Sequence, residues 1–132
     1  MDRLQERLRT ADQTLKTLQD VLSLPFSEIV RDAAIQRFEY SFEAVWKAAK
    51  QYLKETEGIE TGSPKGVIRA CFTSGILDEN LAELALQITD ERNFSVHLYN
   101  ETLAQELYHH LPLYADLMQK WVNAIKTRAK IV

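Results

Sequence analysis

SEIVRDAAIQRFEYSFEAVWKAAKQYLKETEG, residues 27–58, decides the fold. Ile29, Ala33, Phe38, Phe42, Val45, Trp46, Ala49, Tyr52 and Leu53 recur along it at helical spacing, which gathers them on one face. The Ser27 hydroxyl can cap the first free amides, and Gly58 can adopt the left-handed conformation that ends a helix. A helix of roughly thirty residues is long for a small domain and would be its spine. Upstream, Leu4, Leu8, Ala11, Leu15, Leu18 and Leu22 alternate spacings of four and three, the stripe of another amphipathic helix. SLPF at 23–26 separates the two, because Pro25 disfavours helix in the residue before it. These two long helices are expected to pack antiparallel.

Downstream, GIETGSP at 58–64 reads as a loop. Ser63 is a natural cap, and Pro64 suits the first helical position because its missing N–H is not needed there. A short helix through Val67, Ile68, Cys71 and Phe72 should stop near Gly75. Asp78 opens a fourth helix, ENLAELALQITDERNFSVHLY (79–99), and Asn100 a fifth, ETLAQELYHHLPLYADLMQKWVNAIK (101–126). The fifth is striped by Leu103, Leu107, Tyr114, Leu117, Trp121 and Ile125, with Pro112 expected to bend it near the middle. There is no strand-like alternation and no internal repeat. The basic end, KTRAKIV (126–132), is expected to fray. The reading is all-α: a five-helix up-and-down bundle forming a single domain over residues 1–132, with two long antiparallel helices first.

Bulk properties narrow the function. A chain of 132 residues with 45% hydrophobic and 27% charged residues can bury a core and is not a disordered tail. Its net charge of −3 argues against non-specific coating of nucleic acid, though a local basic pocket is compatible with it. Cys71 is the one cysteine, so neither a disulfide framework nor a thiolate zinc site is available. No apolar run approaches membrane-spanning length, and MDRLQERLRT is charged from its second residue, unlike a signal peptide. A cytoplasmic protein is expected, with no membrane partner.

The chemistry concentrates in ERNFSVHLYNE, residues 91–101. On an ideal helix with Arg92 at zero, Leu81, Leu84, Ile88, Phe94 and Leu98 fall between about 200° and 340°, the expected core side. Arg92, Asn93 and His97 fall at about 0°, 100° and 140°, off that side, and Tyr99 at about −20°, at its edge. Ala82, Ala85, Thr89 and Val96 share the polar face, so a second copy could approach closely there and bring two Arg-Asn-His sets into one cleft. Truncating Arg92 or His97 on such a face should cost no more than about 0.5 kcal/mol. Histidine exchanges protons near neutral pH, arginine grips phosphate through a fork of donors, and an amide can position either. Such a set suits cleavage of RNA without a metal or cofactor. The plain alternative is that Arg92 and His97 decorate the last turns of a helix, where cations suit the dipole.

RNFSVHLY resembles the Arg-x4-6-His motif of HEPN domains, in its Arg-Asn-x3-His-x-Tyr form. SPKGVIRACFTSGIL together with RNFSVHLYNE, behind the aromatic second helix, is similar to the nucleotidyltransferase substrate-binding protein family, from about Leu15 to Ile125. The resemblance implies a small all-α HEPN protein that dimerises and pairs with a minimal nucleotidyltransferase. In some relatives the helical protein is a ribonuclease toxin and the nucleotidyltransferase its antitoxin. Arg92 and His97 would then be catalytic, with Asn93 matching the polar residue that often follows the motif arginine. Tyr99 would accept the AMP groups that silence the enzyme.

Other candidates read more plainly. Glu106 and His110, four apart and beside His109, lack a third metal ligand and fit a solvated face. TGSPKG lacks the Gly-Lys-Ser/Thr ending of a phosphate loop and reads as a helix start, although Lys65 and Arg69 could add phosphate-binding charge beside the cleft. Phe38, Phe42 and Trp46 are core rather than a base-stacking platform. Apart from the resemblance, Tyr99 reads equally well as an interfacial packing residue. Two functions follow: a homodimeric HEPN endoribonuclease acting on RNA, a toxin controlled by its partner nucleotidyltransferase, or a non-catalytic subunit that binds nucleotide or substrate and scaffolds that enzyme.

Overall fold

The structure, a computed structural model, describes residues 2–97 and 100–131, the side chains of Val96 and His97 excepted. Among the described residues, five α-helices account for the architecture: α1 (Arg3–Leu22), α2 (Glu28–Tyr52), α3 (Pro64–Thr73), α4 (Glu79–His97) and α5 (Glu101–Ala129). The all-α bundle expected from the sequence is observed, with its helix starts set by local chemistry. The side chains of Ser27, Ser63, Asp78 and Asn100 each accept from the amide three residues on, at 2.8–3.1 Å. Each such cap contributes about 1 kcal/mol to its helix. Asp2 caps α1 in the same way, through the Gln5 amide. The long second helix closes in a wide π-turn over Leu53–Glu57 and stops at Gly58, whose φ of 69° lies in the left-handed region that favours glycine.

α2 is the spine. It packs most extensively on α1, then on α5, and also touches α3 and α4. Thr17 of α1 meets Tyr40 and Arg37 of α2, as an antiparallel pair joined by a short turn requires. The core runs from Leu8, Leu15 and Leu18 through Phe38, Phe42, Tyr52 and Leu53 to Tyr114, Met118 and Trp121. Phe38, Phe42 and Trp46 are core residues, as expected.

The faces differ from the sequence reading in places. Ile29 is 82% exposed, and the buried line of α2 starts instead at Arg31 and Ala34. Phe72, Phe94 and Leu103 are exposed, and Leu22 lies at the edge of the core. Residues 126–129, expected to fray, continue α5. Lys126 Nζ pairs with Asp12 at 2.6 Å, and Arg128 Nη2 donates to the Ser74 carbonyl at 2.8 Å. These contacts tie the last turn to α1 and to the α3–α4 turn. Pro112 lies inside α5 without ending it. No described helix is long and apolar enough to cross a membrane.

Candidate functional site

The inner face of α4 is built from small side chains. Ala82, Ala85 and Thr89 are buried together with Ile88, and the Thr89 hydroxyl returns to the Ala85 carbonyl at 3.0 Å. This corrects the expectation that Ala82, Ala85 and Thr89 face outward as a contact for a second copy. Small residues let α4 lie close against its neighbours within the chain. The larger Leu81, Leu84 and Leu86 spread to the margins of that contact, where they are partly buried.

Arg92 continues the inner face by one turn rather than standing off it. Its side chain is 25% exposed, and Nη2 donates to Glu43 Oε2 of α2 at 2.9 Å. Its Nε is buried without a hydrogen-bond partner among the described residues. The same Glu43 oxygen accepts from the Trp46 indole at 3.0 Å, while Lys47 Nζ approaches Oε1 at 3.1 Å. Partial burial works against charge on Glu43. The hydrogen bonds from Trp46 and Lys47 and the charges of Lys47 and Arg92 outweigh it, holding the carboxyl below its ordinary range. A parallel contact follows one turn on, where Ser95 Oγ donates to Glu39 Oε2 at 2.6 Å. Glu39 and Glu43, four apart on α2, therefore receive Ser95 and Arg92, three apart on α4. Sequence reasoning missed both carboxylates, although their spacing beside the buried Phe38 and Phe42 marks the flank of the core stripe.

The other motif residues are distributed around this contact. Asn93 is exposed to solvent. His97 ends α4 in its backbone, but its side chain and the whole of Tyr99 lie outside the described residues. Lys65, at the start of α3, pairs with Asp90 at 2.7 Å, which sets it on the α4 side two residues before Arg92. Arg69 is exposed on α3.

Two further features flank the site. His110 of α5 reaches Glu91 of α4 through Nδ1, at 2.9 and 3.1 Å to the two oxygens, rather than pairing with Glu106. Behind it the buried Tyr114 hydroxyl accepts from Gln87 at 2.9 Å; burial and the nearby Glu91 raise its pKa. Among the described residues, no three His, Cys, Asp or Glu side chains gather in a way that could hold a metal ion. Burial pushes the Cys71 thiol up to about 11, leaving it a packing residue rather than a nucleophile. A pocket of about 250 Å³ opens between α2, α4 and α5, with Ile35, Phe94, Leu103 and Leu107 among its apolar walls and Glu39 and Ser95 among its polar ones.

The second feature sequence reasoning missed is Arg31. It is 2% exposed, and its guanidinium holds both carboxylate oxygens of Glu101, the first residue of α5, together with Asp32 and Gln105. These partners raise its pKa further, the hydrogen bond to Glu101 foremost. The start of α5, immediately after the motif segment, is thereby pinned to α2.

Over residues 4–127 the sequence matches the family described as nucleotidyltransferase substrate binding protein like. The chain belongs to this family. A solved structure from Thermus thermophilus is 48% identical, with a TM-score of 0.84 over 88% of this chain and 98% of that one. A Shewanella oneidensis HEPN toxin, solved tri-AMPylated and in complex with an MNT antitoxin, superposes with a TM-score of 0.80 at 16% identity, covering 96% of this chain and 99% of the toxin. A mutant toxin-antitoxin complex, MntA–HpeT, gives 0.77 at 16% identity, over 94% of this chain and 97% of that one. No curated protein sequence matches. This family member thus shares the HEPN helical fold that the motif resemblance implies.

Proposed function

We propose that the chain is a HEPN-type endoribonuclease, working as a homodimer and controlled as a toxin by a minimal nucleotidyltransferase. The observation that carries this reading is the placement of Arg92. It is neither a frayed surface cation nor a core residue, but is partly buried on a fixed carboxylate in the last turns of α4. In the proposed reaction His97 takes the proton of a ribose 2′-hydroxyl and the freed oxygen attacks the adjacent phosphorus. The bond to the 5′-oxygen breaks, leaving a 2′,3′-cyclic phosphate, and the leaving oxygen takes a proton from the second copy's histidine or from water. Arg92 holds the phosphate and offsets its growing charge, Asn93 orients it, and Lys65 and Arg69 supply further phosphate contacts along the strand.

The proposed dimer does not rest on the small residues, which are internal. It rests on the apolar rim formed by the exposed Phe94 and Leu103 at the junction of α4 and α5. Control is assigned to Tyr99, by analogy with the AMP-bearing state of the Shewanella toxin. An AMP group there would bring a phosphate that Arg92 can pair with, and would fill the path of the RNA. With a cognate nucleotidyltransferase, ATP and magnesium, intact mass should rise in steps of one AMP unit while cleavage falls, and Tyr99→Phe should abolish both changes. Mass added elsewhere, or added at Tyr99 without loss of cleavage, would remove this control.

The competing reading, a non-catalytic subunit that binds nucleotide or substrate, draws on one observation: the matched family is described as nucleotidyltransferase substrate binding protein like. Incubation of the purified chain with RNA in the presence of a chelator separates the two. A nuclease cuts under those conditions; a scaffold does not.

A further inference from the structure

Glu43 accepts Arg92 and Trp46 on a single oxygen, Oε2, and meets Lys47 with the other. We propose that Glu43 is the positioning residue for Arg92 and, through its charge, a brake on RNA binding. This inference rests on the nuclease reading for its catalytic half only.

Trp46 is almost wholly buried in the core, so its indole fixes Oε2 relative to the bundle. Arg92 Nη2 docks on that fixed point, and Nε is buried. The donors left to a phosphate are those of the two terminal nitrogens, held at one angle instead of sweeping through the rotamers of a free arginine. Orientation is what a transition-state contact needs. The same arrangement sets a carboxylate, ionised throughout the neutral range, within hydrogen-bond distance of the phosphate grip. It subtracts from the attraction of Arg92 for any phosphate, and Lys47, on the other oxygen, returns part of it. The two effects are separable because they use different properties of one group. Glu43→Gln keeps an acceptor in the place of Oε2 for both Arg92 and Trp46. It turns the amide toward Lys47, which is half-exposed and free to swing away, and it removes the charge. Glu43→Ala removes charge and anchor together.

Wild type, E43Q, E43A, R92A and E43Q/R92A should be compared for affinity toward a 2′-O-methyl oligonucleotide, which cannot be cut, and for kcat on the matching RNA. Thermal melts would confirm that each variant is folded. E43Q should bind the uncut strand about threefold tighter or more, a gain that lost repulsion at this range can supply, and the gain should vanish in the R92A background. E43A should bind at least as well as wild type but show a kcat about tenfold or more below that of E43Q, the conservative variant restoring what the truncation loses. Affinity unchanged in E43Q, or raised equally with and without Arg92, overturns the brake. Equal kcat in E43A and E43Q overturns the positioning role. Absence of cleavage by wild type sinks the nuclease reading and with it the positioning role, while the affinity comparison still decides the brake.

Discussion

Arg92 shows how one residue can be identified correctly and placed wrongly. The motif spacing singled it out, but an ideal helix with its large apolar side chains turned inward set it off the core. It follows the buried Ala85, Ile88 and Thr89 along α4, and its partner is Glu43. A helical projection says which residues share a face; it does not say whether that face takes leucines or alanines inside, since this depends on how closely the next helix lies. Arg92→Ala should therefore cost about 1 kcal/mol rather than nothing, the scale of a partly exposed ion pair with its hydrogen bond, read as a lower urea midpoint at unchanged slope. A midpoint equal to wild type would return Arg92 to the open surface. Arg31 went unread for a related reason. The buried line of α2 runs 31, 34, 38, 41 and 45, so its register passes through an arginine, and apolar counting selected Ile29 in its place. Arg31→Met should destabilise by about 2 kcal/mol or more, because Arg31 is buried and ties α2 to the first turn of α5. A change under about 0.5 kcal/mol would show that Glu101 and Gln105 gain little from it.

Helix boundaries were far more legible than helix faces. Ser27, Ser63, Asp78 and Asn100 act on amides three residues away, a local matter that sequence carries in full. The end of α5 was not local: Lys126 and Arg128 look like a basic tail until Asp12, Glu57 and the Ser74 carbonyl are seen beside them. Glu39 and Glu43 went unread for the same reason, since only the docking of α4 on α2 brings Ser95 and Arg92 to them. The start of α5 offers a test, because its cap and the Arg31 clamp act on the same turn. Asn100→Ala removes the acceptor for the Leu103 amide and should cost about 1 kcal/mol. Hydrogen exchange should quicken at the first amides of α5 while those around Trp121 stay protected. Uniform quickening along α5 would mean that the helix opens as one unit and that the cap does not govern its first turn.

At the scale of the whole molecule, five helices around one core leave an apolar rim with Phe94 and Leu103 beside the motif segment. If that rim is where two copies meet, sedimentation should give a dimer, and Phe94→Glu should shift it to monomer and abolish cleavage while the helical circular dichroism is retained. A wild-type monomer, or a Phe94→Glu dimer, would place the contact elsewhere or remove it. The nuclease reading is tested most directly by the rate of RNA cleavage, in excess chelator, by wild type, Arg92→Ala and His97→Ala, each shown to be folded. Wild type should cleave to leave 2′,3′-cyclic phosphate ends, at a rate that falls about a hundredfold or more in each variant, as loss of a proton-transfer group or of a charge-stabilising donor requires. No cleavage by wild type across a range of RNAs, or cleavage that persists in both variants, would contradict it.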